Sequence, residues 1–237
     1  MAVQNTLPAQ QQSDGALGTV PSRADSYGQL VVTPVTNKEY FSAVEGSHFV
    51  AITPTPGTGI IGHAAPTTFD ETKPYLILYN AHPTKNLIPQ FLHLHETVAS
   101  TGVTRVQFTV CTDVGVRRTS AGTAMTLSNT NTNGVADGTT QGWIGAVVAS
   151  AATASRKILG NVVFRGTIDI VEDDYQIVFG APDGVGNSSS RVATVAEVSR
   201  VMPPVVVGPG SSLLLHQWSG SQSAAPTFEA IFSYLLR

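Results

Sequence analysis

Short apolar runs alternate with clusters of glycine, proline, asparagine and serine along the chain from Tyr27 onward. The runs are rich in Val, Ile, Leu, Thr and Phe, and in several of them apolar and polar positions alternate. A period of two is typical of β-strands with one buried face, and the clusters between the runs are typical of turns. The pattern predicts about eleven strands, which is enough for two facing sheets. The predicted strands are Leu30 to Thr33, Ser47 to Thr53, Tyr75 to Tyr79, Ile88 to Val98, Thr104 to Thr112, Trp143 to Ala151, Leu159 to Val171, Tyr175 to Phe179, Ala193 to Val201, Ser212 to Trp218 and Thr227 to Leu236.

The stretch from Val198 to Arg237 shows this pattern most clearly. In its last predicted strand, alternate side chains form one apolar face, which is typical of a strand that completes a core. We therefore expect this segment to be part of the fold and not a tail. The side chains on that face are Phe228, Ala230, Phe232, Tyr234 and Leu236.

Three long glycine-rich loops are predicted, at Thr53 to Lys73, Gly115 to Gly142 and Ala181 to Arg191. Strands of uneven spacing with long loops are more typical of a jelly roll than of an immunoglobulin-like domain. The best helical alternative is the alanine-rich segment Ala146 to Ile158, which Thr and Gly weaken. The sequence thus predicts an all-β protein, a jelly-roll-like antiparallel β-sandwich over residues 39–237.

Residues 1–38 differ from the rest of the chain. Residues 1–26 are rich in Gln, Ala, Ser, Gly and Pro and show neither strand nor helix periodicity. Such a segment buries little apolar surface on itself. We predict an extended N-terminal arm over residues 1–38 that lies on the domain or on a neighbouring copy.

Charged residues are scarce, at 12% of the 237 residues, with a formal net charge of -3. This is about half the usual ~25%, which suggests that partners cover much of the surface. The net charge shows no excess of basic residues of the kind that binds nucleic acid or an anionic membrane directly. The basic pairs Arg117-Arg118 and Arg156-Lys157 are expected to be solvated loop charges. The apolar runs are too short to cross a bilayer and no secretion signal opens the sequence, which predicts synthesis in a cytoplasm.

The segment His93-Leu94-His95-Glu96 has the residue pattern most typical of a metal-binding or reactive site. Alternate histidines on a strand share one face and can ligate one metal. Together with His216 the pattern is similar to that of cupins, in which three histidines and a glutamate hold a metal in a jelly roll. However, Glu96 falls on the opposite strand face, and the spacing to His216 is too long. Interface or exposed histidines are the alternative, and a cupin-like metal enzyme is kept as a less favoured function.

The other motifs lack the structural context that their functions require. Gly57 to Gly62 matches a dinucleotide-binding G-x-G-x-x-G, but Ala64 to Thr68 prevents the helix that such a site needs. Glu172-Asp173-Asp174 offers oxygen ligands for a hard cation, with a solvated turn as the alternative. Cys111, the one cysteine, is expected to pack as a small hydrophobe in a strand. With no nucleophile motif or zinc spacing, we predict no catalytic, cofactor-binding or metal-binding residues, and no enzyme.

Several short segments, in order, resemble those of virion structural proteins of tailed bacteriophages, a loosely defined group of jelly-roll head-decoration and other virion-surface proteins. Together they span roughly Leu78 to Arg237, about two thirds of the chain. The segments are Leu78-Tyr79-Asn80 with Lys85-Asn86-Leu87, Arg118 to Ala124, Ala152 to Leu159, Phe179 to Pro182, Pro203 to Gly210 through Leu215-His216, and Ser221 to Pro226 with Phe228-Glu229.

The resemblance implies a structural component of a bacteriophage virion, first of all a capsid decoration or cement protein. The implied partners are the phage major capsid protein and sister copies, in a homo-oligomer such as a trimer, on the capsid surface. A major coat, collar or tail-fibre-base protein is the alternative structural role. A host glycan is a further possible partner through Trp143, Trp218 and Tyr234, although core positions are expected for these rings.

Overall fold

The computed structural model of the chain describes residues 10–11, 17–18, 42–64, 66–99, 106–165, 171–180, 189–192, 195–220 and 222–237. These ranges hold β-strands and one helical turn at residues 42–44. The strands are β1 (Gln10–Gln11), β2 (Leu17–Gly18), β3 (His48–Ile52), β4 (Ile60–Ile61), β5 (Leu76–Asn80), β6 (Leu87–Val98), β7 (Val106–Val114), β8 (Arg118–Ala124), β9 (Thr126–Asn129), β10 (Thr140–Ala149), β11 (Lys157–Arg165), β12 (Asp174–Phe179), β13 (Ser189–Val192), β14 (Val195–Met202), β15 (Ser211–Trp218) and β16 (Thr227–Leu236).

Apart from β1 and β2, which pair with each other, the strands form two large sheets. The first sheet has the order β13-β14-β12-β6-β16-β3-β9, and β4 also pairs with β16. The second sheet has the order β11-β7-β15-β5-β10-β8. Neighbouring strands are antiparallel except for β12 and β14, which are parallel.

The pairing of eight of these strands defines the topology. β3 pairs with β16, β5 with β15, β6 with β12, and β7 with β11. In chain order the first of the eight therefore pairs with the last, the second with the seventh, and so on inward. This nested pairing over two sheets is a jelly roll, and it confirms the predicted all-β sandwich. The other strands of the two sheets are additions: β8 and β10 extend the second sheet beyond β5, β9, β13 and β14 extend the first, and β4 joins the first by pairing with β16.

The main core lies between the two sheets. The alternate apolar side chains of β16 are all buried there, as the sequence predicted. Five aromatic rings meet in this core with centroids 5.2 to 6.2 Å apart, and each such contact adds roughly 0.5–1.5 kcal/mol beyond simple burial. The five rings are Tyr75, Phe108, Phe164, Tyr175 and Phe228.

A second, smaller apolar cluster lies on the outer face of the second sheet. Side chains of β5, β7 and β15 that alternate with core residues point outward into it. The far half of β10 covers them, because β10 stops pairing with β5 after Ile144 and continues alongside β8 alone. Phe69, from the connection between β4 and β5, packs on the same cluster. Its buried members are Ile77, Cys111, Val147, Ala149 and Leu214.

Gly145 marks the point where β10 changes partners. Its φ of +101° lies in the region that favours glycine, and the strand register shifts just after it. A Cβ at this position would lie 2.5 Å from Ile60 Cγ2. The close approach of β4 to β10 therefore requires a glycine here, and it holds the chain over the outer face of the second sheet.

The sequence prediction was wrong about two of the long loops. Residues Gly115 to Gly142 contain β8, β9 and the start of β10, and Thr53 to Lys73 contains β4. β8 escaped detection because its side chains are small and mostly exposed, so no buried face marks it. The alanine-rich segment from 146 is strand, turn and strand, not helix. The predicted strand Leu30 to Thr33, and most of the predicted arm over residues 1–38, lie outside the described residues.

Candidate functional site

The outer face of the first sheet carries apolar side chains that remain partly exposed. Outward positions of a sandwich are usually polar. Here, two cross-strand rows run over β3, β16, β6 and β12, and Ile231 in one of them is 43% exposed. An apolar surface patch of this kind is typical of a contact surface. The apolar members of the two rows are Val50, Phe91 and Val178 in one and Ile52 and Ile231 in the other; the buried Ser233 completes the first row, and His93 and Gln176 complete the second.

A cluster of histidines and carboxylates adjoins these apolar side chains and includes His93 from the second row. His93 and His95 both project outward from β6, as the alternation predicted. His93 Nε2 is 3.1 Å and His95 Nδ1 is 3.0 Å from the same oxygen, Asp174 Oδ1. His95 Nε2 lies 3.4 Å from Glu172 Oε2, and Glu229 stands opposite His95 on β16. The cluster therefore combines two imidazoles with three carboxylates.

These side chains form one end of an open surface groove of about 490 Å³. Its other walls are largely apolar, and no Lys or Arg of the described residues lines it. Glu172, Asp174 and Glu229 bring three carboxylates to the cluster. The groove thus pairs an acidic end with apolar walls. The lining residues are Ile52, Thr53, Pro56, His93, His95, Asp174, Glu229, Ala230 and Ile231.

The turn before β12 positions the carboxylates of this cluster. Glu172 has a φ of +71°, its N–H donates to Glu96 O at 2.8 Å, and Glu96 N–H donates to Asp173 O at 2.9 Å. Asp173 consequently points into the core, where Tyr175 Oη lies 3.2 Å from its Oδ2, while Asp174 points outward. A solvated turn is therefore wrong for Asp173, and the three acids do not converge on one cation.

His216 lies on the other side of the molecule. It belongs to β15 and projects from the outer face of the second sheet, where its ring packs edge-on against Phe69 with centroids 5.0 Å apart. Burial lowers the pKa of His216 from 6.5 to about 4. The cupin-like trio of His93, His95 and His216 is thus divided between opposite faces of the sandwich, so these three side chains cannot share one metal ion.

The glycine motif at Gly57 to Gly62 lies at a strand and not at a helix. β4 occupies Ile60–Ile61 within the motif and pairs with β16. A Cβ at Gly59 would lie 2.2 Å from Thr97 Oγ1, so this glycine allows close packing on the sheet. A dinucleotide pyrophosphate needs the free amides of a helix N-terminus, which this segment does not supply.

Each of the two basic pairs has an arginine bound to a carboxylate, which the sequence did not indicate. Arg117 is buried and bonds Asp113 and the Ser150 carbonyl under the covering segment of β10. The expectation of a solvated loop charge is therefore wrong for Arg117. Arg156 forms an ion pair with Glu71, whereas Lys157 is exposed.

The remaining candidate side chains serve packing. Cys111 is buried, as predicted, and burial raises its pKa to about 11. Tyr234 is fully buried and donates to Asp137 Oδ2 at 2.8 Å, so it offers no face to a sugar. Trp218 is half-buried and donates to Thr109 Oγ1 at 2.9 Å. Trp143 is half-buried under the Arg118 guanidinium, 4.7 Å from the ring centroid.

Among the described residues, no group of three or more His, Cys, Asp or Glu side chains is arranged to hold a metal ion. None of the helical structure in the same residues is long and apolar enough to span a membrane. No family model, curated protein or solved structure matches the chain. The resemblance to virion proteins stays a prediction, and the fold and the open face of the first sheet carry the functional proposal.

Proposed function

We propose that the chain is a structural, non-catalytic subunit of a virion shell, first of all a decoration or cement protein that binds the coat and sister copies. The observation that carries this proposal is the partly exposed apolar surface on the outer face of the first sheet. In an isolated monomer such a surface stays in contact with water, whereas a subunit in a shell buries it against its neighbours.

The topology supports the same role. Jelly rolls occur mainly in viral capsid proteins, lectins and cupins. The histidines do not converge as a cupin metal site requires, and the candidate aromatic rings are buried or half-buried instead of presenting a flat platform to a sugar. Of the three classes, the capsid role agrees best with the described surfaces.

Low charge and repeated contacts agree with a subunit that acts in many copies on one shell. Only 12% of the residues are charged, so side-by-side packing of copies meets little like-charge repulsion. Each standard contact buries about 800 Å² per partner. Because many copies bind the same shell, modest contacts add up to firm attachment.

Particle binding tests the decoration role. The full chain and a variant lacking residues 1–26 are added to undecorated particles, and bound protein is measured after sedimentation. We expect the full chain to bind in many copies per particle. The shortened variant should stay folded by circular dichroism but lose attachment. Equal occupancy by both proteins would contradict the assembly role of the arm, and failure of the full chain to bind would overturn the decoration role.

A major coat protein is the second candidate, because the eight-strand jelly roll is complete with a closed main core. Self-assembly separates the two roles. A coat protein expressed alone forms closed shells visible by electron microscopy, whereas a decoration protein forms only small oligomers. A collar or tail-fibre-base role predicts few copies per particle, which quantitative gel densitometry of purified virions measures.

A further inference from the structure

We propose that the acidic groove on the outer face of the first sheet binds a second copy of this chain through Lys157 and Ile158, at the start of β11. This proposal rests on the proposed shell function and names the surfaces that the copies use. The two surfaces lie on different parts of the molecule, so the contact is head-to-tail.

The groove offers complementary contacts to a cationic group that lies next to an apolar one. Its acidic end holds Asp174 and Glu229, with Glu172 close by, and no Lys or Arg of the described residues lines it. Ile231, 43% exposed, lies next to this end on β16. Asp174 and Glu172 lie against His93 and His95, but Glu229 has no ion pair among the described residues, and burying its carboxylate at a dry edge is costly unless a cation pairs with it.

Lys157 and Ile158 present the complementary chemistry. Of the lysines in the described residues, Lys157 alone is followed by an exposed large apolar side chain, and Ile158 is 53% exposed. Arg156 beside it is already paired with Glu71, and Lys73 with Asp70. Lys157 has no ion pair with a carboxylate among the described residues. Because β11 ends the second sheet, these side chains are free to reach a neighbour.

A contact between two different surfaces repeats from copy to copy. Each subunit offers both a groove and a Lys157–Ile158 pair, so the contact is heterologous and builds a ring or an extended array. A shell needs such repeated contacts in the plane of its surface. The far side of the sandwich is covered by β10 and by Phe69, whereas no strand among the described residues covers the outer face of the first sheet.

A charge exchange tests the contact. Association of the full chain is measured by sedimentation velocity at pH 7.5 for Glu229→Lys, for Lys157→Glu, and for the double variant. We expect each single variant to weaken association at least tenfold, because like charges then face each other, and the double variant to restore it. Lys85→Glu, at another exposed lysine, is the matched control and should associate like the wild type. Circular dichroism checks that each variant is folded, and Glu229→Gln provides a milder change.

Two results would overturn the inference. They are unchanged association of the single variants, and a double variant that associates no better than either single one. Particle binding separates this failure from that of the proposed function. If wild type and Glu229→Lys occupy particles equally, the shell role stands and the groove contact is wrong.

Discussion

At the scale of single residues, burial decides which titratable groups are available for chemistry. His216 and Cys111 carry the side chains most often associated with function, yet both are buried on the outer face of the second sheet. Burial lowers the pKa of His216 to about 4 and raises that of Cys111 to about 11, so both are uncharged at neutral pH. His93 and His95, by contrast, lie at an open groove beside carboxylates.

The buried histidine predicts a pH dependence of stability. Because the pKa of His216 falls from 6.5 to about 4 on folding, the unfolded chain binds more protons between these values. Stability from this group is complete above pH 6.5 and is lost as the pH falls towards 4. Between pH 7 and pH 5 we expect the free energy of unfolding to fall by about 2 kcal/mol from this residue.

Urea unfolding at the two pH values measures this loss. The variant His216→Gln should remove most of the difference, since it has no proton to gain. The matched control is His82→Gln, a half-buried histidine in a surface loop, which should leave the difference in place. An equal pH dependence in wild type and His216→Gln would show that other groups cause it.

At the scale of elements, one buried ion pair fixes the connection that follows β10 to the second sheet. Arg117 bonds Asp113, and Thr153 N–H donates to Asp113 Oδ2 at 2.9 Å. Burial acts to raise the pKa of Asp113, but the hydrogen bonds from Thr153 and Val114 and the charge of Arg117 outweigh it and lower the pKa. Asp113 therefore stays ionised as the partner that Arg117 requires.

A double-mutant cycle tests this pair. Asp113→Ala or Arg117→Ala each leaves a buried charge without its partner, which costs about 3–5 kcal/mol. We expect the double variant to cost clearly less than the sum of the two, measured by urea unfolding. Arg156→Ala breaks the half-exposed pair with Glu71 and, as a control, should cost about 0–1 kcal/mol. Additive losses at Asp113 and Arg117 would mean that the two side chains do not stabilise each other.

Substitution of two glycines with positive φ distinguishes the energetic cost of backbone strain from that of steric contact. Gly145 and Gly57 have φ of +101° and +78°. A Cβ at Gly145 would lie 2.5 Å from Ile60 Cγ2, whereas a Cβ at Gly57 would meet open space. Gly57→Ala should cost about 1 kcal/mol from backbone strain alone. Gly145→Ala should cost clearly more, because β4 must also move. Thermal unfolding of both variants measures the difference, and equal losses would contradict the close packing of β4 on β10.

The elements that the sequence predicted well are those with a buried alternating face. The Ser47 to Thr53 and Thr227 to Leu236 predictions lie within a residue or so of β3 and β16, because their apolar positions repeat with a period of two. β8 was missed because backbone pairing, and not side-chain burial, holds its Thr, Ser and Ala residues in the sheet. The sequence singled out His93 and His95, and separately the acids Glu172 to Asp174. It indicated neither that the two groups meet nor that Glu229 joins them, since strand register between distant segments leaves no local signal.

At the scale of the whole molecule, the jelly roll places the segment Thr227–Leu236 in the middle of the first sheet. β16 lies between β6 and β3 and contributes alternate side chains to the main core. Its neighbours come from segments more than a hundred residues earlier, such as Leu94 opposite Ala230. The two sheets are thus held together by contacts between distant parts of the chain.

Removing this strand should abolish the fold. A chain that stops at residue 225 loses the partner of both β6 and β3, and the main core is left open to water. We expect near-ultraviolet circular dichroism and cooperative thermal unfolding to disappear. Removal of Arg237 alone, whose side chain pairs with Glu45 at the surface, is the control and should leave both signals. A cooperative transition in the shortened chain would show that β16 is an accessory strand.

The position of β16 also sets when the groove forms during synthesis. Since the middle strand of the first sheet is made long after its neighbours, the groove with Glu229 and Ile231 does not exist while the earlier residues emerge from the ribosome. Long-range strand pairing of this kind closes slowly. No contact through this surface can therefore form until Thr227–Leu236 has been made and has paired with β6 and β3.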